Sequence, residues 1–222
     1  MCSTSVNTEA VLRANAYHAL ARGFDQPAEW DADMPRAWQG FAAPGSTLQA
    51  LADEVGEAAR AALGDPQATA VAHARLFLGP FEILAPPYAS AYLEPDQRLM
   101  GPVSVEAAEA YAEAGLGPGD GPREAPDHVS QELEFMYFLA FQQATTNDAI
   151  WCDRQRRFWR GHLGRWLPEL AKVMVRSDAH PFYRTLGKLL DAFCDSEAGL
   201  LTGPSFSGPL RLGTIRESAT GL

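Results

Sequence analysis

Proline and glycine cut this 222-residue chain into pieces of helix length, and between two of those pieces they forbid regular structure. Residues 79–102 carry Pro80, Pro86, Pro87, Pro95 and Pro102. A proline ring lacks an N–H and clashes with the preceding turn, so no continuous helix crosses the stretch. The same missing donors weaken any strand. Tyr88, Tyr92, Glu94 and Asp96 lie within it. An irregular loop of this kind in a helical chain needs rigid neighbours, and loops so held tend to carry function.

The rest reads as helix. Thr8 can cap a helix reaching Arg22, with Tyr17, Leu20, Ala21 and Phe24 as a buried stripe. A short aromatic segment follows, with Trp30, Trp38 and Phe41. Ser46 with Gln49 is a capping box for a helix whose inner face is Leu48, Leu51, Val55, Ala59 and Ala62. Asp65-Pro66 starts another, running to about Leu78 and stopped by Gly79-Pro80. Ser104 is the expected cap of a helix carrying Val105, Ala108, Ala112 and Leu116. Asp127 is the expected start of a helix that is apolar nearly all round through Val129, Leu133, Phe135, Met136, Phe138, Leu139 and Phe141, and therefore central. A further helix starts near Asp148 and is kinked or restarted at Pro168, and the last begins near Pro181. No stretch reads as a strand. The expected fold is all-α, a bundle of about seven to nine helices. The Gly/Pro run at 115–126 is its hinge, dividing residues 1–125 from 126–201, with a loosely held tail at 202–222.

A hydrophobic content of 46% supports a real core. No apolar run approaches the roughly 18 residues of a membrane span. Met1 to Glu9 has neither a basic region nor an apolar core, so no secretory signal is expected. Cys2, Cys152 and Cys194 form no CxxC pair, which points to a reducing cytoplasm. A net charge of −10 disfavours nucleic acid and suits a basic peptide. His18, His73, His162 and His180 have no partner at metal-ligand spacing. The glycine-rich run lacks a Walker pattern, so neither metal nor cofactor is expected. Arg154, Arg156, Arg157, Arg160 and Arg165 read as a solvated face, or else as a dock for an acidic partner.

Asp127-His128 is the sharpest pair. Adjacent residues on a helix diverge, so a base and its orienter are disfavoured against a capping Asp or a peptide contact. Glu94 and Asp96 flank Pro95 either as a turn or as acceptors for an incoming arginine. Phe77, Tyr88 and Tyr92 can stack on that arginine or pack the loop onto the core.

Taken together, Leu76-Phe77 with Gly79-Pro80, Pro86-Pro87-Tyr88 with Ser90 and Tyr92, Gly101, and Pro126-Asp127-His128 leading into Glu132-Leu133-Glu134-Phe135-Met136 resemble the TorD/DmsD family of redox-enzyme maturation chaperones, within the wider TorD/DmsD/NarJ group. His162, Trp166 and Phe182-Tyr183 are similarly placed, and the resemblance covers roughly residues 8–195. It implies an all-helical cytoplasmic protein without a catalytic centre. Such a protein binds the twin-arginine leader peptide of a molybdenum-cofactor oxidoreductase subunit and delays its export until the cofactor is inserted. Some relatives form domain-swapped dimers, so monomer and dimer both stay open. The positions matching the family's peptide-binding region are Leu76, Phe77, Pro87, Tyr88, Gly101, Asp127 and His128; Tyr88 stands where some relatives carry Trp. A leader receptor needs an apolar groove edged by carboxylates, and the 76–101 loop beside the Asp127 helix is expected to supply both. Two rival readings are an assembly factor that grips only the mature subunit and a small hydrolase using His128.

Overall fold

The computed structural model describes residues 8–79, 83–95, 101–117, 124–177 and 180–202. Among them the fold is all-α. The helices are α1 (Thr8–Gly23), α2 (Thr47–Leu63), α3 (Pro66–His73), the single turn α4 (Ser90–Leu93), α5 (Pro102–Glu113), α6 (Val129–Thr146), α7 (Ala149–Gly161), α8 (Leu167–Arg176) and α9 (Pro181–Leu201).

Local chemistry sets these boundaries. Ser46 accepts the Gln49 N–H at 3.1 Å and opens α2, while Asp65 accepts the Ala68 N–H at 3.0 Å and opens α3. The box at Ser46 is half made. Instead of returning to the cap, the Gln49 amide donates to the Trp38 carbonyl at 3.2 Å and accepts from the Ala42 N–H at 3.0 Å. It thereby fastens the aromatic segment onto α2. Trp38 and Phe41 are buried there, and Trp30 packs partly buried against the same core. Asp148 caps α7, and the His180 ring nitrogen caps α9.

α6 is central as expected, packed along α1 on one side and α7 on the other, while α9 lies between α2 and α8. One continuous cluster of buried side chains runs from Ala14 to Leu201. Fully burying a large side chain such as Leu133 or Met136 contributes about 1.5–3 kcal/mol. A buried charge cluster sits inside it. Glu132 of α6 accepts from the Trp166 indole at 3.0 Å and pairs with the His162 ring at 2.7 Å. Burial pushes the Glu132 carboxyl up to about 7. Burial alone would lower the His162 pKa, but the bond to Glu132 outweighs it and the net shift is upward.

The structure corrects five local expectations. The helix from Pro66 does not run regularly to Leu78: after His73 it widens into a π-turn over Ala74–Leu78, closed by Gly79 at φ +35°. Ser104 does not cap α5, which starts at Pro102 with Gly101 in the capping position. Asp127 does not cap α6; the His128 Nδ1 accepts the Ser130 N–H at 3.3 Å and does so. Phe141 is exposed, so α6 keeps one open edge. The arginines of α7 are not simply solvated: Arg154 and Arg157 tie α7 to Glu113 at the end of α5. Half of the hinge run (118–123) and nearly all of the tail (203–222) lie outside the described residues.

Candidate functional site

Four segments converge on a groove of about 500 Å³. The turn after α1 brings Phe24, Asp25, Gln26 and Glu29; the end of α3 and its π-turn bring His73, Phe77 and Leu78. The proline loop brings Pro87 and Tyr88, and the approach to α6 brings Glu124, His128, Ser130, Gln131 and Glu134. The π-turn matters here. Widening the last turn turns Phe77 against Phe24 and His73, with ring centroids 5.5 and 5.1 Å away.

Backbone pairing holds the proline loop in place. The Val129 N–H donates to the Pro87 carbonyl at 2.8 Å, and the Ala89 N–H donates to the Asp127 carbonyl at 2.9 Å. Tyr88 and His128 thus face each other across a single antiparallel bridge, ring centroids 5.0 Å apart. The Tyr88 hydroxyl donates to Glu124 at 3.1 Å. Beneath them the Asp127 carboxylate, fully buried, accepts the Ser90 N–H at 3.0 Å and the Ser104 hydroxyl. It ties α4 and α5 to the start of α6. No base–orienter pair results, because the Asp127 carboxylate is engaged by Ser90 and Ser104 while the His128 Nδ1 faces the amide and hydroxyl of Ser130.

Among the described lining residues are four carboxylates, Asp25, Glu29, Glu124 and Glu134, with no lysine or arginine. Loss of water, then the nearby Glu29 and Glu134, push Asp25 up to about 6. Partial burial raises Glu134 against the opposing pull of His18. Burial lowers both His73 and His128. The groove is therefore an acidic depression on an aromatic floor, with no lysine or arginine among its described lining residues.

The structure brings four of the anticipated residues together: Phe77, Pro87, Tyr88 and His128. Leu76 is buried and faces a different cavity, beside Arg75 and His180. Tyr92 packs against Trp166 at 5.5 Å. Glu94 accepts the Val103 N–H at 3.0 Å, serving the first turn of α5, and Gly101 lies against its carboxylate. Asp127 lies under the site rather than in it. Asp96 lies outside the described residues. Asp25, Glu29, Glu124 and Glu134 were not singled out from sequence. Glu134 stands within the motif that carries the resemblance, and the net charge of −10 says that carboxylates are in excess without saying where they gather.

A Cβ at Gly101 would collide with the Glu94 carboxylate, the free end of a flexible side chain. Gly101→Ala should displace Glu94 and forfeit its cap on α5, costing about 1 kcal/mol by urea denaturation. Glu94→Ala should cost the same, and the double variant no more than either alone.

A family model described as the nitrate reductase delta subunit matches residues 39–172. The chain belongs to that family. Similar curated proteins include the chaperone protein TorD of Vibrio parahaemolyticus, 27% identical over 58% of this chain and 61% of that one. The Tat proofreading chaperone DmsD of Salmonella typhi is 30% identical over 52% and 53% respectively, and the TorD of Shewanella loihica 34% identical over 51% and 53%. The chain spans between half and two thirds of the curated relatives it matches. The fold is similar to the crystal structure of an Archaeoglobus fulgidus protein assigned to redox enzyme maturation. The TM-score is 0.55 at 21% identity, covering 82% of this chain and 93% of that one. The resemblance drawn from the motifs is borne out, and with it the all-α fold. Among the described residues no helix is long and apolar enough to cross a membrane, and no cluster of ligating side chains could hold a metal.

Proposed function

We propose that this protein is a cytoplasmic, non-enzymatic chaperone that binds the twin-arginine leader of a molybdenum-cofactor oxidoreductase subunit and delays its export until assembly is complete. The observation that carries this reading is the acidic groove, with four carboxylates, no cation among its described lining residues, and a floor of Phe24, Phe77, Tyr88 and His128. Family membership and the names of the curated relatives support it. Guanidinium groups suit such a site because they bond carboxylates in a bidentate manner and stack on aromatic faces.

Calorimetric titration with synthetic leaders of molybdoenzymes tests it. One leader should bind, and its twin-lysine version should bind about tenfold more weakly or worse, since lysine keeps the charge but loses the bidentate geometry. Asp25→Asn and Glu134→Gln should each weaken binding while leaving the thermal midpoint within a few degrees. No binding by any leader to the folded protein would overturn the reading. Binding to a client whose leader has been deleted, undiminished, would favour grip on the mature subunit instead.

The groove also sets a pH dependence. Asp25 is pushed up to about 6, and a bound guanidinium favours its ionised form. Leader binding near pH 6 therefore releases protons. As pH falls from 7 to 5, Asp25 takes up its proton and its attraction for the arginines is lost. Leader affinity should therefore fall across that interval, and the proton release should vanish in Asp25→Asn. An affinity that rises on acidification would contradict this account of the groove.

A further inference from the structure

A second trough, of about 690 Å³, adjoins the acidic groove, and Gln131 and Glu134 on the open edge of α6 line both. One wall is α5, which presents Ala108 and Ala112 and runs on to Leu116. The floor is Tyr111 against Phe135, ring centroids 4.6 Å apart; the far wall is His18 against Tyr137 at 5.1 Å. The Tyr111 hydroxyl donates to the Pro126 carbonyl at 2.6 Å and closes one end. Ala108, Ala112 and Leu116 are the apolar stripe of α5 at helical spacing, yet Ala108 and Ala112 are exposed. The face of α5 that enters the core is Val103, Ser104 and Ala107 instead. The sequence thus supplies an apolar face that the described residues leave uncovered beside four carboxylates. An exposed apolar face rimmed by polar groups marks a binding surface.

We propose that this trough receives the apolar segment that follows the arginine pair of a leader peptide, so that the leader crosses α6 with its arginines over Asp25 and Glu134 and its apolar residues against α5. The inference rests on the leader-binding reading and adds a second subsite and a direction. Charge complementarity and continuity choose the occupant. A ligand filling both depressions must be cationic at one end and apolar at the other within a single chain. The volume suits several aliphatic side chains, within the range of well-formed ligand sites.

The probe is a synthetic peptide carrying Arg-Arg followed by a Leu/Ala-rich segment, beside a version whose apolar residues are replaced by serine. Ala112→Glu is the test variant: its site is an exposed helix position, so the fold should tolerate it, and it places a charge where apolar side chains would be desolvated. Ala112→Glu should weaken the apolar peptide about tenfold and leave the serine version unchanged. Ala108→Glu should repeat the result. If both glutamate variants bind the apolar peptide as wild type while Glu134→Gln still weakens it, the trough is not the apolar subsite and the leader reading stands. If wild type binds neither peptide, both fall together. If peptide affinity is unchanged and Ala112→Glu instead breaks a dimer seen by sedimentation, the face belongs to a second copy of this chain.

Discussion

Arg13→Met should destabilise the fold by about 3–5 kcal/mol, because it leaves one member of a buried ion pair behind. Arg13 of α1 reaches Glu197 of α9 with both ends of its fork, at 2.7 and 2.6 Å, and the Tyr17 hydroxyl donates to the same carboxylate. The Glu197 side chain is only 1% exposed and the Arg13 side chain 11%. Burial by itself lowers the Arg13 pKa; the bidentate bond to Glu197 outweighs it and the net shift is upward. Without the guanidinium, Glu197 keeps one neutral donor in a closed site. Methionine retains the length of the stem, so the loss measures the charge rather than a cavity. Urea denaturation should show a lower midpoint with an unchanged slope. Arg13→Met with Glu197→Leu should recover only part of the loss, since an apolar pair of similar volume often replaces a buried ion pair at little cost, but here it leaves the buried Tyr17 hydroxyl without its acceptor. A single variant within about 1 kcal/mol of wild type would show that this clamp does not hold α1 to α9.

That clamp joins residues 184 positions apart, and nothing in the local pattern announces it. What was legible in the chain is what short-range chemistry decides. Ser46, Asp65, Asp148 and Pro181 mark helix starts because capping and proline geometry act within three or four residues. The stripe of α1 follows from periodicity. Where a polar side chain had two uses, local reasoning chose the nearer one and the fold the farther. Gln49 was expected to return to Ser46 and instead fastens Trp38; Ser104 was expected to cap α5 and instead donates to Asp127. The apolar face of α5 fails differently. Its spacing is helical, but spacing does not say which face meets the core.

The site shows the same division. Phe77, Pro87, Tyr88 and His128 sit on segments whose residue types already set them apart, and the structure gathers them in one groove. Asp25 and Glu29 reach it from the turn after α1, some 50 residues before Phe77 in the chain, through the packing of α1 along α6. Carboxylates in a turn look the same whether they face solvent or a groove, so only tertiary packing reveals them.

Asp127 is where these arguments meet, and its two simplest variants should part company. Asp127→Ala leaves the buried Ser90 N–H and the Ser104 hydroxyl without their acceptor, so it should cost about 2–4 kcal/mol. It should also weaken leader binding, but indirectly, by releasing α4 and the paired Tyr88–His128 backbone from below. Asp127→Asn keeps one oxygen for the Ser90 N–H, and its amide can donate to Ser104 once that hydroxyl rotates to accept. It should therefore retain most of the stability. Because Asp127 is fully buried and absent from the groove lining, Asp127→Asn should bind a twin-arginine leader nearly as wild type. Glu134→Gln, an equal loss of charge on the groove wall, should not. If Asp127→Asn and Asp127→Ala lose affinity equally while the asparagine variant keeps its thermal midpoint, Asp127 meets the arginines directly and the groove must open deeper than its unliganded form. If the asparagine variant binds normally, the loss in Asp127→Ala reports on the scaffold, and recognition belongs to the carboxylates along the rim.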